Sequence, residues 1–222
     1  MNPVLYPFRG AVRAALSRPE GGSLAGRFPA PLVTALIAEA AEACAPRVRV
    51  ALEETLAALA AVGVPRGRQF VLLVHADGSR PAVDVAAWRK ALHVPVLVHD
   101  PDAASFTAGR SEGGVAIELD DELREAEAIV CVGPGHATTS VVHGGPFLLV
   151  PGAAARPTVD AWREARRRGG ERAAVELALA VEALLRVDLA LTWDPAGRAA
   201  VAGGRARFDA LAREAGLLPR GA

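Results

Sequence analysis

The sequence predicts an α/β fold: a Rossmann-like, mostly parallel sheet flanked by helices, closed by a C-terminal β-hairpin. Three features predict it. Short apolar runs, FVLLVH at 70–75, PVLVH at 95–99 and AIVCVG at 128–133, alternate with stretches of helical periodicity. Each run ends in a polar or glycine-rich turn, as strands do when they deliver side chains to a crevice beyond their carboxyl ends. VDLALTW at 187–193 is joined through DPAG to RAAVAGG, the pattern of a hairpin. The chain has 222 residues, 51% hydrophobic and 23% charged, enough to bury one large core.

Taken in order, residues 1–30 are rich in Pro, Gly and Arg with little periodicity and read as an irregular N-terminal arm. Residues 31–222 read as a single α/β domain. From Pro31, PLVTALIAEAAEACA carries apolar residues at helical spacing and predicts a helix stopped by Pro46. VRVAL at 48–52 reads as a short buried strand, and EETLAALAAVG as a helix closed by Gly63. The acid pair Glu53 and Glu54 then opens that helix, as Asp120 and Asp121 open one over DDELREA. Between them come strand 70–75, a helix over VDVAAWRKAL and strand 95–99. The stretch 103–119 breaks the rhythm as a glycine-linked excursion with one short strand. After strand 128–133, FLLV at 147–150 lies between Pro146 and Pro151 and reads as an edge or short strand. Helices over 158–168 and 171–185 precede the hairpin, and a closing helix spans 205–216.

Composition excludes several classes of function. Lys+Arg and Asp+Glu number 25 each, so no net field draws the chain to nucleic acid or to an anionic membrane. The basic cluster WREARRRGGER at 162–172 reads as a solvated helix end, its arginines suited to the negative end of the dipole. Cys44 and Cys131 stand alone in apolar surroundings, as reduced core cysteines do. With no leader-like N-terminus and no apolar run near 18 residues, the expectation is a soluble cytoplasmic protein.

The chemistry-bearing residues cluster at strand ends. His75, Asp77, Ser79, Arg80, His99, Asp100, Asp102, His136 and His143 all sit at or just after one, where neighbouring strands would converge them on one crevice. No pair has the tight spacing of metal ligands, so no metal site is assigned. His75 and His99 suit a role as strand-end caps bonded to backbone better than one as metal ligands. His136 follows GPG, where glycines permit close approach to a ligand, and Thr138, Thr139 and Ser140 supply hydroxyl donors. The loop matches no phosphate-binding motif, and on its residues alone a bare turn suits it as well as a ligand loop. The candidate set is therefore His136 as catalytic residue, with Asp77, Ser79, Arg80, His99, Thr138, Thr139 and Ser140 binding ligand. For Arg80 an ion pair with Asp77 or Asp100 is an equal alternative.

From about Val48 to Ala215 the chain resembles the N-terminal domain of the nickel-dependent lactate racemase family. ADGSRP resembles that family's Gly-Thr-His-Arg-Pro turn, VHDPD its Asn-His-Asp stretch, and GHATTSVVHGGPFLLVPGAA its Pro-His loop, Gly-Gly pair, lysine and Pro-Gly turn. GRSEGGVAIELDDELREAEAIVCVG and VDLALTWDPAGRAAVAGG resemble the segments between and after. What the resemblance implies is a site with its chemistry substituted. The lysine that holds the nickel-pincer cofactor falls at Phe147, the nickel-binding histidine at Arg163 and the basic histidine at Ser79. The Asp-x-Thr-Arg-Pro turn is missing, since VRVAL runs directly into EETLAALAA, while Arg80, His99 and His136 remain. The resemblance does not reach the family's C-terminal domain, which is expected to be missing unless another chain provides it.

The expectation is a lactate racemase-like domain without nickel-pincer racemase activity and with no cofactor, binding a small anionic metabolite. A second reading is a divergent racemase, isomerase or metal-dependent enzyme using His136 and its neighbouring histidines. A third is an interaction subunit, as a homodimer or with a separate partner chain in place of the missing domain.

Overall fold

A computed structural model describes residues 5–111, 113–135, 145–185, 187–194 and 200–203. Its centre is a sheet of six strands in the order β3-β2-β1-β6-β7-β8. The strands are β1 (Thr34–Glu39), β2 (Gln69–Val74), β3 (Val96–Val98), β6 (Ala128–Pro134), β7 (Val187–Trp193) and β8 (Ala200–Gly203). All neighbours pair in parallel except β7 and β8, which form an antiparallel hairpin. The fold is thus the α/β class that the alternating pattern predicts.

Two crossovers build one half of the sheet. Helix α3 (Ala45–Ala61) links β1 to β2, and α4 (Val85–Leu92) links β2 to β3. The chain then returns to lay β6 on the other side of β1. That reversal makes the carboxyl ends of β1 and β6 the topological switch point, the place where such sheets bind ligands.

Side chains of the central strands alternate between two apolar clusters, as the period of a pleated strand requires. Leu36, Val71, Leu73, Val130 and Val132 face one cluster with Val48, Leu52, Leu56 and Leu59 of α3. Ala35, Ile37, Leu72, Val74, Ile129 and Cys131 face the other, with Phe147, Val159 and Trp162. This second face is covered by α5 (Arg156–Leu184) and by the hairpin of β4 (Ser105–Arg110) and β5 (Ala116–Asp120). Thr158 stitches α5 to the hairpin: its hydroxyl accepts from the Glu118 amide at 2.8 Å and donates to the Ala116 carbonyl at 3.3 Å. At Gly170, φ +71, α5 breaks into the two segments that the sequence predicts.

Several elements differ from expectation. The N-terminal segment is helical: α1 (Leu5–Ser17) buries Phe8, Val12 and Leu16, spaced four apart along one face. The Phe8 ring meets Trp193 edge-on at 5.3 Å, and a short helix, α2 (Leu24–Arg27), follows with Ser23 as its cap. The predicted helix from Pro31 is instead strand β1, buried at all six positions. VRVAL is no strand but the first turns of α3, with Pro46 starting that helix where its missing N–H costs nothing. Glu53 and Glu54 consequently lie mid-helix, where they bind Arg9 and Arg13 of α1. The 103–119 excursion holds two strands rather than one. DDELREA forms only a 3-10 turn, with Asp120 accepting from the Glu122 amide. FLLV is a 3-10 turn rather than a strand, ending at a cis bond before Pro151. The DPAG turn beyond Asp194 and the 205–216 helix lie outside the described residues.

Candidate functional site

Each of the first three strands carries an ionisable side chain at its carboxyl end: Glu39 on β1, His75 after β2 and His99 after β3. Their surroundings differ. His99 is 1% exposed and turns inward, with Nδ1 2.6 Å from Asp120 Oδ2 and Nε2 3.0 Å from the Ala154 carbonyl. A carbonyl only accepts, so Nε2 carries hydrogen. Both ring nitrogens are spent on holding β3, β5 and the 153–155 segment together, including a backbone bond of the kind anticipated for a strand-end cap.

The turn after β2 is built by its own side chains. Asp77 Oδ1 accepts from the Ser79 amide at 2.8 Å and from the Ser79 hydroxyl at 2.6 Å. Burial opposes ionisation of Asp77, but the two Ser79 bonds prevail and hold its carboxyl below the ordinary range. Gly78, at φ +72, is wedged against α5: a Cβ there would meet Val159 Cγ2 at 2.8 Å and the Pro151 carbonyl at 2.9 Å. Only glycine fits, so the turn is docked on α5.

That docking sets Asp77 beside the basic cluster of α5. Arg163 donates through Nη2 to the Asp77 carbonyl at 3.3 Å and contacts Asp160 at 3.4 Å. Asp77, Trp162, Arg163, Arg166 and Arg167 line a cleft of about 420 Å³. Arg166 lies over the Trp162 ring at 5.6 Å, and Arg167 is paired with Glu164 at 2.7 Å. The Trp162 indole N–H is buried without a hydrogen-bond partner among the described residues. The sequence marks these arginines as a solvated helix end; the structure makes them one wall of a cleft, opposite the Asp77 turn.

The residues that lead into this turn meet the buried carboxylate of Glu39, 1% exposed. Its Oε1 accepts from the Ala41 amide at 3.2 Å and its Oε2 from the Ala76 amide at 3.1 Å. His75 Nδ1 stands 3.4 Å from Oε1. This contact raises the imidazole pKa above its ordinary value, against the opposing effect of burial. Cys44 lies near the same carboxylate, and burial, aided by that charge, pushes its thiol up to about 12.

Of the sequence candidates, the structure brings Asp77 and Ser79 together, and sets Arg80 on Asp100 at 2.6 Å, the ion pair weighed as its alternative. Asp102 is taken by Arg156, 2.7 Å away. His99 spends both ring nitrogens on Asp120 and Ala154 rather than on the Asp77 turn. His136, Thr138, Thr139, Ser140 and His143 lie outside the described residues. Phe147 is 2% exposed and packed in the second cluster. No group of three His, Cys, Asp or Glu side chains able to hold a metal ion occurs among the described residues. The reading of the sequence missed Glu39, hidden in a segment taken for a helix, and the place of Arg166 and Arg167 on the wall of a cleft.

No family model and no curated protein matches the chain. Solved structures do. The lactate racemase apoprotein from Thermoanaerobacterium thermosaccharolyticum superposes with a TM-score of 0.72 at 16% identity, covering 92% of this chain and 54% of that one. A structural-genomics target from Thermotoga maritima gives a TM-score of 0.57 at 14% identity, covering 84% and 50%. The fold is therefore lactate racemase-like, and the chain spans about half the length of these neighbours.

Proposed function

We propose that this chain binds a small organic anion in the cleft between the Asp77 turn and the arginine face of α5, and that it does not racemise substrate through a nickel-pincer group. The observation that carries the reading is the wall itself: Arg163, Arg166 and Arg167 of one helix, beside the buried indole N–H of Trp162, which has no partner among the described residues. Guanidinium groups match carboxylate and phosphate oxygens in forked, charge-assisted pairs. The cleft volume, about 420 Å³, suits a metabolite rather than a macromolecule.

The residues at the positions implied by the resemblance do not suit the nickel-pincer group. Phe147 has no amine to form a bond and is buried among Leu148, Val159 and their neighbours. Arg163 keeps its proton and offers no lone pair to a metal. Ser79 gives its hydroxyl to Asp77.

Isothermal titration calorimetry against phosphate, citrate and 2-oxoglutarate tests the reading. One or more should bind with unit stoichiometry, and Arg163→Ala combined with Arg167→Ala should weaken that binding at least about tenfold, equivalent to about 1.4 kcal/mol. Binding that survives the double substitution unchanged would place the ligand elsewhere.

A further inference from the structure

Glu39 is a carboxylate placed at the switch point of the sheet and excluded from water. Burying a charge there is costly unless the group is held for a purpose or fully bonded. The Ala41 and Ala76 amides each donate to one of its two oxygens, so the carboxyl meets its neighbours as an acceptor. The His75 nitrogen facing it, Nδ1, therefore carries the hydrogen. That fixes the tautomer: the lone pair of neutral His75 is on Nε2. Nε2 has no partner among the described residues, and the side chain is 31% exposed. An imidazole oriented from behind by a carboxylate, with its other nitrogen unused, is the arrangement of a general base. The 3.4 Å separation is long, as such contacts commonly are without substrate.

The base and the cationic cleft share one short turn. His75 and Asp77 are two residues apart, a span of at most about 7 Å, and Arg163 donates to the Asp77 carbonyl. The Asp77 carboxyl feels the charges of both His75 and Arg163. Among the described residues, the charged and titratable groups around the imidazole are Glu39 of β1, Asp77 of the same turn and, nearer to Glu39, the Cys44 thiol before α3.

We propose that His75, oriented by Glu39, is the proton-transfer residue of this site and that its substrate is a small oxo acid. The inference rests on the anion-binding reading above. An imidazole titrating near neutrality removes a carbon-bound proton only where a carbonyl acidifies it, and the arginines require a carboxylate on the same molecule. In the step, Nε2 takes a proton from the carbon beside the carbonyl. The C–H bond breaks and its electron pair passes to the carbonyl oxygen as an enolate. The imidazolium formed is balanced by Glu39, and return of the proton to carbon completes the cycle. Nothing is oxidised or reduced.

The test is hydrogen–deuterium exchange at the C3 position of 2-oxoglutarate and of 2-oxobutyrate in D₂O, followed by proton NMR with the full chain. The native protein should accelerate exchange by about a hundredfold or more over buffer, the low end of general-base catalysis. His75→Gln should return the rate to that of buffer while leaving 2-oxoglutarate binding within about twofold. Glu39→Gln should reduce the rate and lower the midpoint of the His75 imidazole in an NMR titration. Should that buried substitution prevent folding, His75→Gln decides alone, since the side chain is partly exposed. Calorimetric binding of either oxo acid without accelerated exchange overturns the proton-transfer role and leaves anion binding standing. Absence of binding by both overturns the oxo-acid assignment, and failure of phosphate and citrate as well overturns the anion site beneath it.

Discussion

At the scale of single residues, the environment of Glu39 controls two neighbours in opposite senses of reactivity. It favours the protonated imidazole of His75, and with burial it disfavours the thiolate of Cys44. A thiol near 12 holds about a thousandfold less thiolate at pH 8 than one at 9. In the native protein Cys44 should therefore react with iodoacetamide at pH 8 at under about a hundredth of the rate of glutathione; labelling at a comparable rate would contradict its burial. The sign for His75 follows from its raised value. Its contribution to stability is complete below the ordinary 6.5 and is lost as pH rises through the higher folded value. Asp77 works the other way, its contribution present above the ordinary 3.8 and lost as pH falls through the lowered folded value. Urea midpoints from pH 5.5 to 8.5 should fall for the native chain, and His75→Gln should flatten that slope. An unchanged slope in the variant would remove His75 as its cause.

At the scale of elements, the errors of sequence reading have a common physical source. TALIAE is buried on both faces, so it shows no alternation, and its alanines and glutamate favour a helix by propensity. VRVAL has the β-branched residues of a strand, yet Val48, Ala51, Leu52, Thr55, Leu56 and Leu59 are the buried stripe of a continuous helix. Exchanging these two assignments displaced the first strand past its true end, and Glu39 vanished from view with it. The strands at 70–75, 95–99, 128–133 and 187–193 were legible because apolar runs of strand length stop at polar or glycine turns. Helix α1 was not, since its stripe of Phe8, Val12 and Leu16 is diluted by arginines that bind Glu53 and Glu54 of α3. Phe8→Ala should cost about 3–5 kcal/mol in urea unfolding, because the ring is 1% exposed and rests on Trp193. A loss under about 1 kcal/mol would mean that α1 does not belong to the core.

At the scale of the whole molecule, the sheet separates two apolar clusters and leaves its ionisable groups at one end. The reversal of strand order places Glu39 and the start of the 133–135 glycine segment side by side. The docked turn at Gly78 then brings the end of β2 against α5. The candidate site is thus a consequence of topology: the strand-end places of His75 and Asp77 were legible from sequence, whereas Glu39 and the arginine wall were not. Those arginines follow a helical pattern that solvent exposure explains equally well, and only the docking of the turn gives them a facing wall. Among the described residues no helix is long and apolar enough to cross a membrane.

The most direct measurement is a titration of the arginine side-chain Nε–Hε signals by nitrogen–proton NMR with 2-oxoglutarate. The Arg163, Arg166 and Arg167 signals should shift together and saturate at one equivalent, with Arg89 and Arg124 unmoved. Shifts that scatter over the molecule without saturating, or that leave these three in place, would contradict an anion site on the face of α5.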